Sequence, residues 1–564
     1  MNDVDAVQAQ IAHNMLQSGD WVTARLDGVP YLEKSPLVYW MMAASYMIFG
    51  VHDWAARLPL ALAAILLCWV TYRFGRWAFG ELAGTCAGVA LATCTGLYLF
   101  TRILIPDATL ALAITVALWS AFRLLEADEP SPNLWSAVLG VSVAVGLLLK
   151  GLIAIVFPIL IILVYMAAAG KLFSAAAWRS LRLWIAVILC LAIAAPWHVL
   201  ATIRNPPYFV FSMHSGPHDY RGFFWFYFIN EHLLRFLNLR YPRDYNTVPR
   251  ALFWALNLVW IFPWTAYLAG AVRLSYRPAT RAGRVRLLAL CWIASIMIFF
   301  TFSTTQGYYS MPIYPALALL VGSAVAEGGA WVERCTRATA VVFGALFSVL
   351  AGLLVLVWHI PAHGELWTAL TQNPDLYTLS LGHMADLTLS AFAFLKLPLG
   401  LAACAFGCGA VALWASRKSS KWTLIVVAGT MVVFFQASRL ALVKFENYLG
   451  SYPLAAALER SPSGQLIEAD AYYAFSSVFF YTNRSALLVD GRRDNLEYGS
   501  WAPGAAQVFI DDSGFDSRWR DSSRSYLLTY GDDLPHWRRL VGQDNLHVVA
   551  ESGGNYLLTN HPLP

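Results

Sequence analysis

Long apolar runs recur along this chain, separated by short polar stretches, and no other feature restricts its fold as strongly. Inside a bilayer every backbone N–H and C=O must find its partner within the segment, so a run of roughly 17 to 25 apolar residues reads as a spanning helix. About twelve such runs are present, at 56–73, 81–100, 104–122, 134–149, 151–168, 183–200, 251–272, 287–303, 309–326, 338–359, 396–415 and 422–437. The pair at 134–149 and 151–168 forms one stretch, LGVSVAVGLLLKGLIAIVFPILIILVYM, which has to turn around at Lys150-Gly151. With 58% hydrophobic and 13% charged residues the composition is too apolar for an ordinary soluble protein. The expected fold is mainly α, a polytopic helical membrane protein.

Lys and Arg set the orientation of such spans, because carrying them across the membrane costs most. Alternate loops hold Arg73 and Arg76; Arg123; Lys171, Arg179 and Arg182; Arg273, Arg277, Arg281, Arg284 and Arg286; Arg334 and Arg337; Arg417, Lys418 and Lys421. These loops are assigned to the cytoplasm. The N-terminal segment, residues 201–250, the loops around Lys150 and Tyr308, and everything after 437 then face outward. The net charge of +5 sits in these short clusters, so no nucleic-acid partner is expected. All eight cysteines lie in or beside apolar runs without a C-x-x-C pair, and neither a disulfide framework nor a cysteine metal site follows. The opening residues, MNDVDAVQAQIAHNML, are polar and acidic yet fall on the outer side; a further apolar span ahead of them in the natural polypeptide is expected to carry them there.

The outer segments hold the unusual residues. In SGDWVTARLDGVPYLEKSPLVYW, Glu33 and Lys34 precede Pro36 and an aromatic-rich stretch, which predicts a surface-lying helix–loop–helix. TRILIPDATL places Arg102 and Asp107 at the edge of two spans, where ionisable groups are costly; function and a snorkelling Arg102–Asp107 pair are the two readings. FFWFYFINEHLLRFL puts Glu231, His232 and Arg235 within about one helical turn, as a site or as a plain i,i+4 pair. His214 and His218 in SMHSGPHD are spaced for a metal, but the Gly-Pro between them favours a turn. STTQGYYSMPIYPALALL offers Gln306, Tyr308 and Tyr309, either as substrate contacts or as belt anchors. Charge counting alone places all of these, with Asp3 and Asp5, on one face. A cavity gathering carboxylates and cations suits a hydroxyl acceptor, whose proton a carboxylate takes, and a leaving phosphate, which cations neutralise.

Several stretches carry a resemblance. DVDAVQAQIAHNMLQSGDWVTARLDGVPYLEKSPLVYW resembles the first extracytoplasmic loop of bacterial GT-C glycosyltransferases related to protein O-mannosyltransferases and to the lipid A aminoarabinose transferase. RILIPDATLAL, LLLKGLIAIVFP, AAPWHVLATIRNPPYFVF, FYFINEHLLRFL and QGYYSMPIYPALALL follow in the same order, so the likeness covers nearly the whole chain. It implies a GT-C fold whose first span precedes the acidic loop, and a polyprenyl-phosphate (dolichyl- or undecaprenyl-phosphate) sugar donor. The sugar passes, with inversion, to a hydroxyl or phosphate on a lipid A-like glycolipid or a protein at the outer face of the bacterial inner membrane. No nucleotide cofactor is implied.

Carried over by position, the resemblance implies Asp3 or Asp5 as an acceptor-handling carboxylate, although ungapped alignment sets Val4 at the family's first acidic position and Asp5 at its second. Asp107 is implied as the second-loop acid, with Lys34, Arg235 and Arg102 as donor-phosphate contacts and Tyr309, Gln306 and Tyr308 as substrate contacts. Gln306 stands where the family often has a cation. Glu33 and His232 match positions that hold a divalent metal (zinc, magnesium or manganese) in the aminoarabinose enzymes. Residues 210–222, VFSMHSGPHDYRG, look inserted and are expected to shape the acceptor entrance.

After 437 hydropathy falls. A linker leads to the short runs SSVFFYTN, SALLVDG, AAQVFIDD, SYLLTYG, LHVVAE and NYLLTN, bounded by Gly, Asp and Asn, which read as strands of a small α/β periplasmic domain. Asp511-Asp512 and Asp532-Asp533 read as turn residues rather than metal ligands. The organisation expected is 1–55, an outer loop with amphipathic helices; 56–437, the transmembrane domain with 201–250 as its large outer loop; and 438–564, the α/β domain. The leading expectation is an inverting glycosyltransferase, and the alternatives are a lipid-linked sugar transporter or flippase and a non-catalytic glycolipid-binding protein.

Overall fold

Every apolar run predicted to span is helical in the computed structural model, which describes residues 1–242, 247–362 and 388–563. Nine helices among the described residues are long and apolar enough to cross a membrane. The run at 251–272 is instead a pair, Arg250–Trp260 and Thr265–Ala271, bent by 97°. The run at 81–100 is a 12-residue helix, Glu81–Ala92, followed by the short Thr95–Phe100, and that at 151–168 is a 16-residue helix, Ile153–Ala168. Two of these breaks meet. Pro263 has no N–H with which to continue its helix, and at this break the carbonyl of Phe262 accepts from Thr95 N at 2.9 Å, where the other run restarts.

Within the bundle, Gly307–Glu327 is the central element, 94% buried over its apolar window, whereas Leu183–Arg204 and Ala330–Val357 are each only 17% buried and present Leu, Val and Ile outward, as lipid-facing helices do. Close approach needs a small residue: a Cβ on Gly322 would stand 2.4 Å from the carbonyl oxygen of Ala83.

Ahead of the stretch read as a surface-lying helix–loop–helix stands the N-terminal helix Asp3–Ser18. It is buried, packed between helix Leu37–Phe49 and helix Ser476–Thr482 of the C-terminal domain. A two-residue-per-strand hairpin, β1 (Arg25–Leu26) and β2 (Val29–Pro30), leads from it to Glu33 and Lys34.

The last long helix runs on to Lys444 rather than ending at 437. Beyond it a six-stranded sheet holds β3 (Gln465–Ala469), β4 (Ala486–Val489), β5 (Phe509–Ile510), β6 (Ser525–Tyr530), β7 (His547–Ser552) and β8 (Asn555–Thr559), in the order β5-β4-β3-β6-β8-β7. The first four pair in parallel and the β7–β8 hairpin closes one edge antiparallel. SSVFFYTN, expected as a strand, is a helix; its first turn is capped by Asp3, whose carboxylate accepts from Ser477 N at 2.8 Å, a partner no local pattern contains. Asp511 caps helix Asp512–Trp519 by accepting from Gly514 N, the turn role expected of it.

Candidate active site

Lys34 stands at the end of the hairpin, immediately before helix Leu37–Phe49. The next residue fixes its backbone: Ser35 Oγ donates to the carbonyl of Leu147 at 3.1 Å and also contacts the Tyr227 hydroxyl. Lys34 Nζ donates to Glu33 Oε1 at 2.6 Å; the lysine remains about one-third exposed while the glutamate is buried. Burial by itself would raise the Glu33 pKa, but Lys34, then Arg240 and Arg235, outweigh it and hold the carboxyl at about 2.

A second element, the wide-turned helix Trp225–Leu234, supplies Glu231 and His232 and is followed directly by Arg235. Glu231 accepts from Arg235 Nη1 at 3.1 Å and from Arg240 Nη1 at 2.5 Å. Arg235 also donates through Nη2 to the Tyr309 hydroxyl at 3.0 Å. The i,i+4 pair is therefore present, but as one edge of a network that reaches the Gly307–Glu327 element.

Asp107 and Lys150 form the third part. The Arg102–Asp107 pair considered above is absent: Arg102 covers the ring of Tyr98 at 4.3 Å and donates to its hydroxyl at 2.5 Å. These two contacts join Arg102 to Tyr98 and not to Lys34 or Arg235, with which it was expected to bind phosphate. Asp107 Oδ1 instead accepts from Lys150 Nζ at 2.5 Å, and that ammonium lies 5.0 Å from the Tyr309 ring centre and 5.3 Å from that of Tyr308. The other oxygen, Asp107 Oδ2, is buried with no hydrogen-bond partner among the described residues. Lys34 and Arg235 lie near enough to Lys150 to repel it, so the three parts share one electrostatic site. Four cations (Lys34, Lys150, Arg235, Arg240) face three carboxylates (Glu33, Asp107, Glu231), an excess of one positive charge, which suits an anionic group.

His232 has a different place from the one its position implied. Its Nδ1 donates to the carbonyl of Tyr227 at 2.5 Å and its Nε2 accepts from Leu152 N at 3.1 Å, so both ring nitrogens are occupied by backbone. Burial lowers its pKa to about 4, consistent with a neutral ring that donates from one side and accepts at the other. It braces the turn after Lys150, where Gly151 has φ +73° and a Cβ would stand 2.2 Å from His232 Nε2. No cluster of three or more His, Cys, Asp or Glu suited to a metal occurs among the described residues. Glu33 and His232 as placed do not fit a metal, since both ring nitrogens of His232 are engaged by backbone.

The two N-terminal aspartates separate. Asp5 is fully buried, with Oδ2 accepting from Arg57 Nη2 at 2.5 Å and Oδ1 from Leu104 N at 2.7 Å, which ties the first helix to the loop carrying Asp107. Asp3 faces the C-terminal domain, and besides Ser477 N it accepts from Ser451 Oγ at 3.2 Å. Burial raises its pKa to about 7. Gln306 accepts from Tyr309 N through its carbonyl, and its side-chain Oε1 is buried with no partner among the described residues. His214 and His218 lie in a loop, with His218 packed edge-on against Trp501 at 4.7 Å. Lys150 and Arg240 went unrecognised as site residues in the sequence. Lys150 had a visible signal, as the one charge inside a long apolar stretch; Arg240 had none.

Residues 33–199, which include Lys34, Asp107 and Lys150, match the family described as dolichyl-phosphate-mannose-protein mannosyltransferase. The undecaprenyl phosphate-alpha-4-amino-4-deoxy-L-arabinose arabinosyl transferase 1 of Pseudomonas fluorescens is 28% identical over 384 residues, 66% of this chain and 61% of that protein. The arabinosyl transferase of the same description from Pectobacterium atrosepticum is 24% identical over 571 residues, covering 95% of this chain and 90% of its own. The crystal structure of ArnT from Cupriavidus metallidurans bound to undecaprenyl phosphate superposes with a TM-score of 0.79 at 21% identity, over 99% of this chain and 93% of that one. The chain is thus a multi-span membrane protein with the GT-C fold, similar along nearly its whole length to the Pectobacterium arabinosyl transferase.

Proposed function

We propose that the protein transfers a sugar, of the 4-amino-4-deoxyarabinose class, from undecaprenyl phosphate to a hydroxyl or phosphate of a lipid A-like glycolipid at the outer face of the inner membrane. The relatives' descriptions supply the donor and sugar class. The residues supply the chemistry. Lys34 and Arg235, with the Tyr309 hydroxyl beside them, bind the donor phosphate. An acceptor oxygen attacks the anomeric carbon as the bond from that carbon to the phosphate oxygen breaks; both electrons of that bond leave with undecaprenyl phosphate, and the configuration inverts. Asp107 takes the acceptor's proton. Because the sugar arrives on a lipid phosphate, the reaction needs no nucleotide.

The observation that carries this reading is the second oxygen of Asp107: buried, with no hydrogen-bond partner among the described residues, and set in a site where four cations face three carboxylates. A buried acceptor atom without a donor is costly unless a bound group satisfies it, and a substrate hydroxyl is such a donor. Lys34 keeps part of its surface open, as an ammonium awaiting a phosphate must. The test is binding of undecaprenyl phosphate to the full chain in lipid nanodiscs. Lys34→Ala should weaken it by about tenfold or more, since a charge-assisted hydrogen bond is worth roughly 1.5–3 kcal/mol. Equal affinity in the variant would remove Lys34 from the phosphate site.

A further inference from the structure

A line of hydrogen bonds enters the active site from the C-terminal domain. Asn495 Nδ2, in helix Asp494–Ser500, donates to the Tyr473 hydroxyl at 2.7 Å and, at longer range, to the Tyr31 hydroxyl at 3.4 Å. The two tyrosine hydroxyls are 3.0 Å apart, and Tyr31 donates onward to Glu33 Oε2 at 3.4 Å. An amide NH₂ only donates and an ionised carboxylate only accepts, so the direction is fixed: Asn495 to Tyr473, Tyr473 to Tyr31, Tyr31 to Glu33. The other oxygen of Glu33 holds Lys34.

The start of this line is anchored independently. Tyr498, on the same helix as Asn495, stacks on Phe226 at 3.9 Å, donates to the carbonyl of Gly222 at 3.0 Å and accepts from Arg221 N at 2.8 Å. Glu497 accepts from the Tyr241 hydroxyl at 3.1 Å. Helix Asp494–Ser500 is thereby fixed to the segment that carries Glu231 and Arg235, while Asn495 reaches across to the hairpin end that carries Lys34. Tyr31 is 1% exposed, so water cannot replace a lost partner.

We propose that Asn495 and Tyr473 are positioning residues for the transfer reaction, supplied by the C-terminal domain. They fix Tyr31, Tyr31 restrains Glu33, and Glu33 sets where the Lys34 ammonium stands when a phosphate arrives. The claim rests on the reading above that Lys34 binds the donor phosphate. It gives the C-terminal domain a part in setting donor affinity.

The test uses the full chain in nanodiscs with Tyr473→Phe, Asn495→Leu, Tyr31→Phe and the Tyr31→Phe/Tyr473→Phe double variant. Affinity for undecaprenyl phosphate alone, donor KM, kcat and thermal melting are measured together. Loss of one link should weaken phosphate affinity and raise donor KM about five- to tenfold, with only a small fall in melting temperature. The double variant should match Tyr31→Phe, because the line is already cut. Two outcomes overturn the proposal: unchanged phosphate affinity in Tyr473→Phe, or a fall in kcat and melting together at unchanged KM, which is what mere structural support gives. If the wild-type chain binds undecaprenyl phosphate but transfers nothing, the transferase reading fails by itself, and the affinity comparison still decides the role of Tyr473 and Asn495.

Discussion

Replacing Lys150 with methionine isolates the contact that the sequence did not reveal. The change keeps most of the side chain's volume and removes the ammonium 2.5 Å from Asp107 Oδ1. Asp107 is 2% exposed and its Oδ2 already lacks a partner, so the carboxylate would be left buried and uncompensated. Breaking a buried ion pair from one side typically costs 3–5 kcal/mol. Lys150 is 26% exposed in its side chain, and water entering from that side places the loss near the low end, about 3 kcal/mol. A loss of that size changes the unfolding equilibrium by more than about a hundredfold. The assay is denaturant unfolding in detergent micelles of Lys150→Met, Asp107→Asn and the double variant. The double variant should regain most of the stability lost in Lys150→Met, since no charge is then stranded, while sugar transfer stays absent in all three. Full stability of Lys150→Met, or a double variant no better than the single, would refute the buried-pair reasoning.

Other expectations follow from the same geometry. Arg235→Lys keeps the charge but not the planar fork that reaches Glu231 and Tyr309 at once, and donor KM should rise about tenfold in steady-state assays. Gly151→Ala puts a Cβ into His232 at a backbone of φ +73°, so it should displace Lys150 and abolish transfer, or fail to fold. Burial raises Asp3 from 3.8 to about 7, so folding favours its protonated form; the stability it contributes is full below about pH 4 and is lost as pH rises through 7. Limited proteolysis at the junction of the first helix with the C-terminal domain should therefore quicken between about pH 4 and 7 in the wild type, and Asp3→Asn should flatten that dependence.

The bundle was largely legible because membrane burial writes itself into single segments: a run of apolar residues has to become a helix whatever its neighbours do. What escaped was where such runs break. The turn after Ala92 and the 97° bend at Pro263 satisfy each other through Thr95 and Phe262, far apart in sequence. The same limit explains the site. Lys34, Arg235, Tyr309 and Asp107 stood out as polar groups in apolar surroundings. Lys150 read as a turn marker because its partner is Asp107, on another helix. His232 looked like a ligand until its two nitrogens were seen on the backbone of Tyr227 and Leu152. SSVFFYTN was misread because its helix is completed by a distant residue, Asp3. The carboxylate caps the helix that the sequence run forms, and neither half of that contact is visible alone.

The most direct test of the account is single-turnover transfer by the full chain in nanodiscs, with undecaprenyl-phosphate aminoarabinose as donor and lipid A as acceptor, followed by mass spectrometry of both lipids. The account predicts one aminoarabinose increment on lipid A for each undecaprenyl phosphate released, and neither product with Asp107→Asn although that variant still binds undecaprenyl phosphate. Transfer at the wild-type rate by Asp107→Asn, or a wild-type chain that binds the donor and leaves both lipids unchanged, would contradict it.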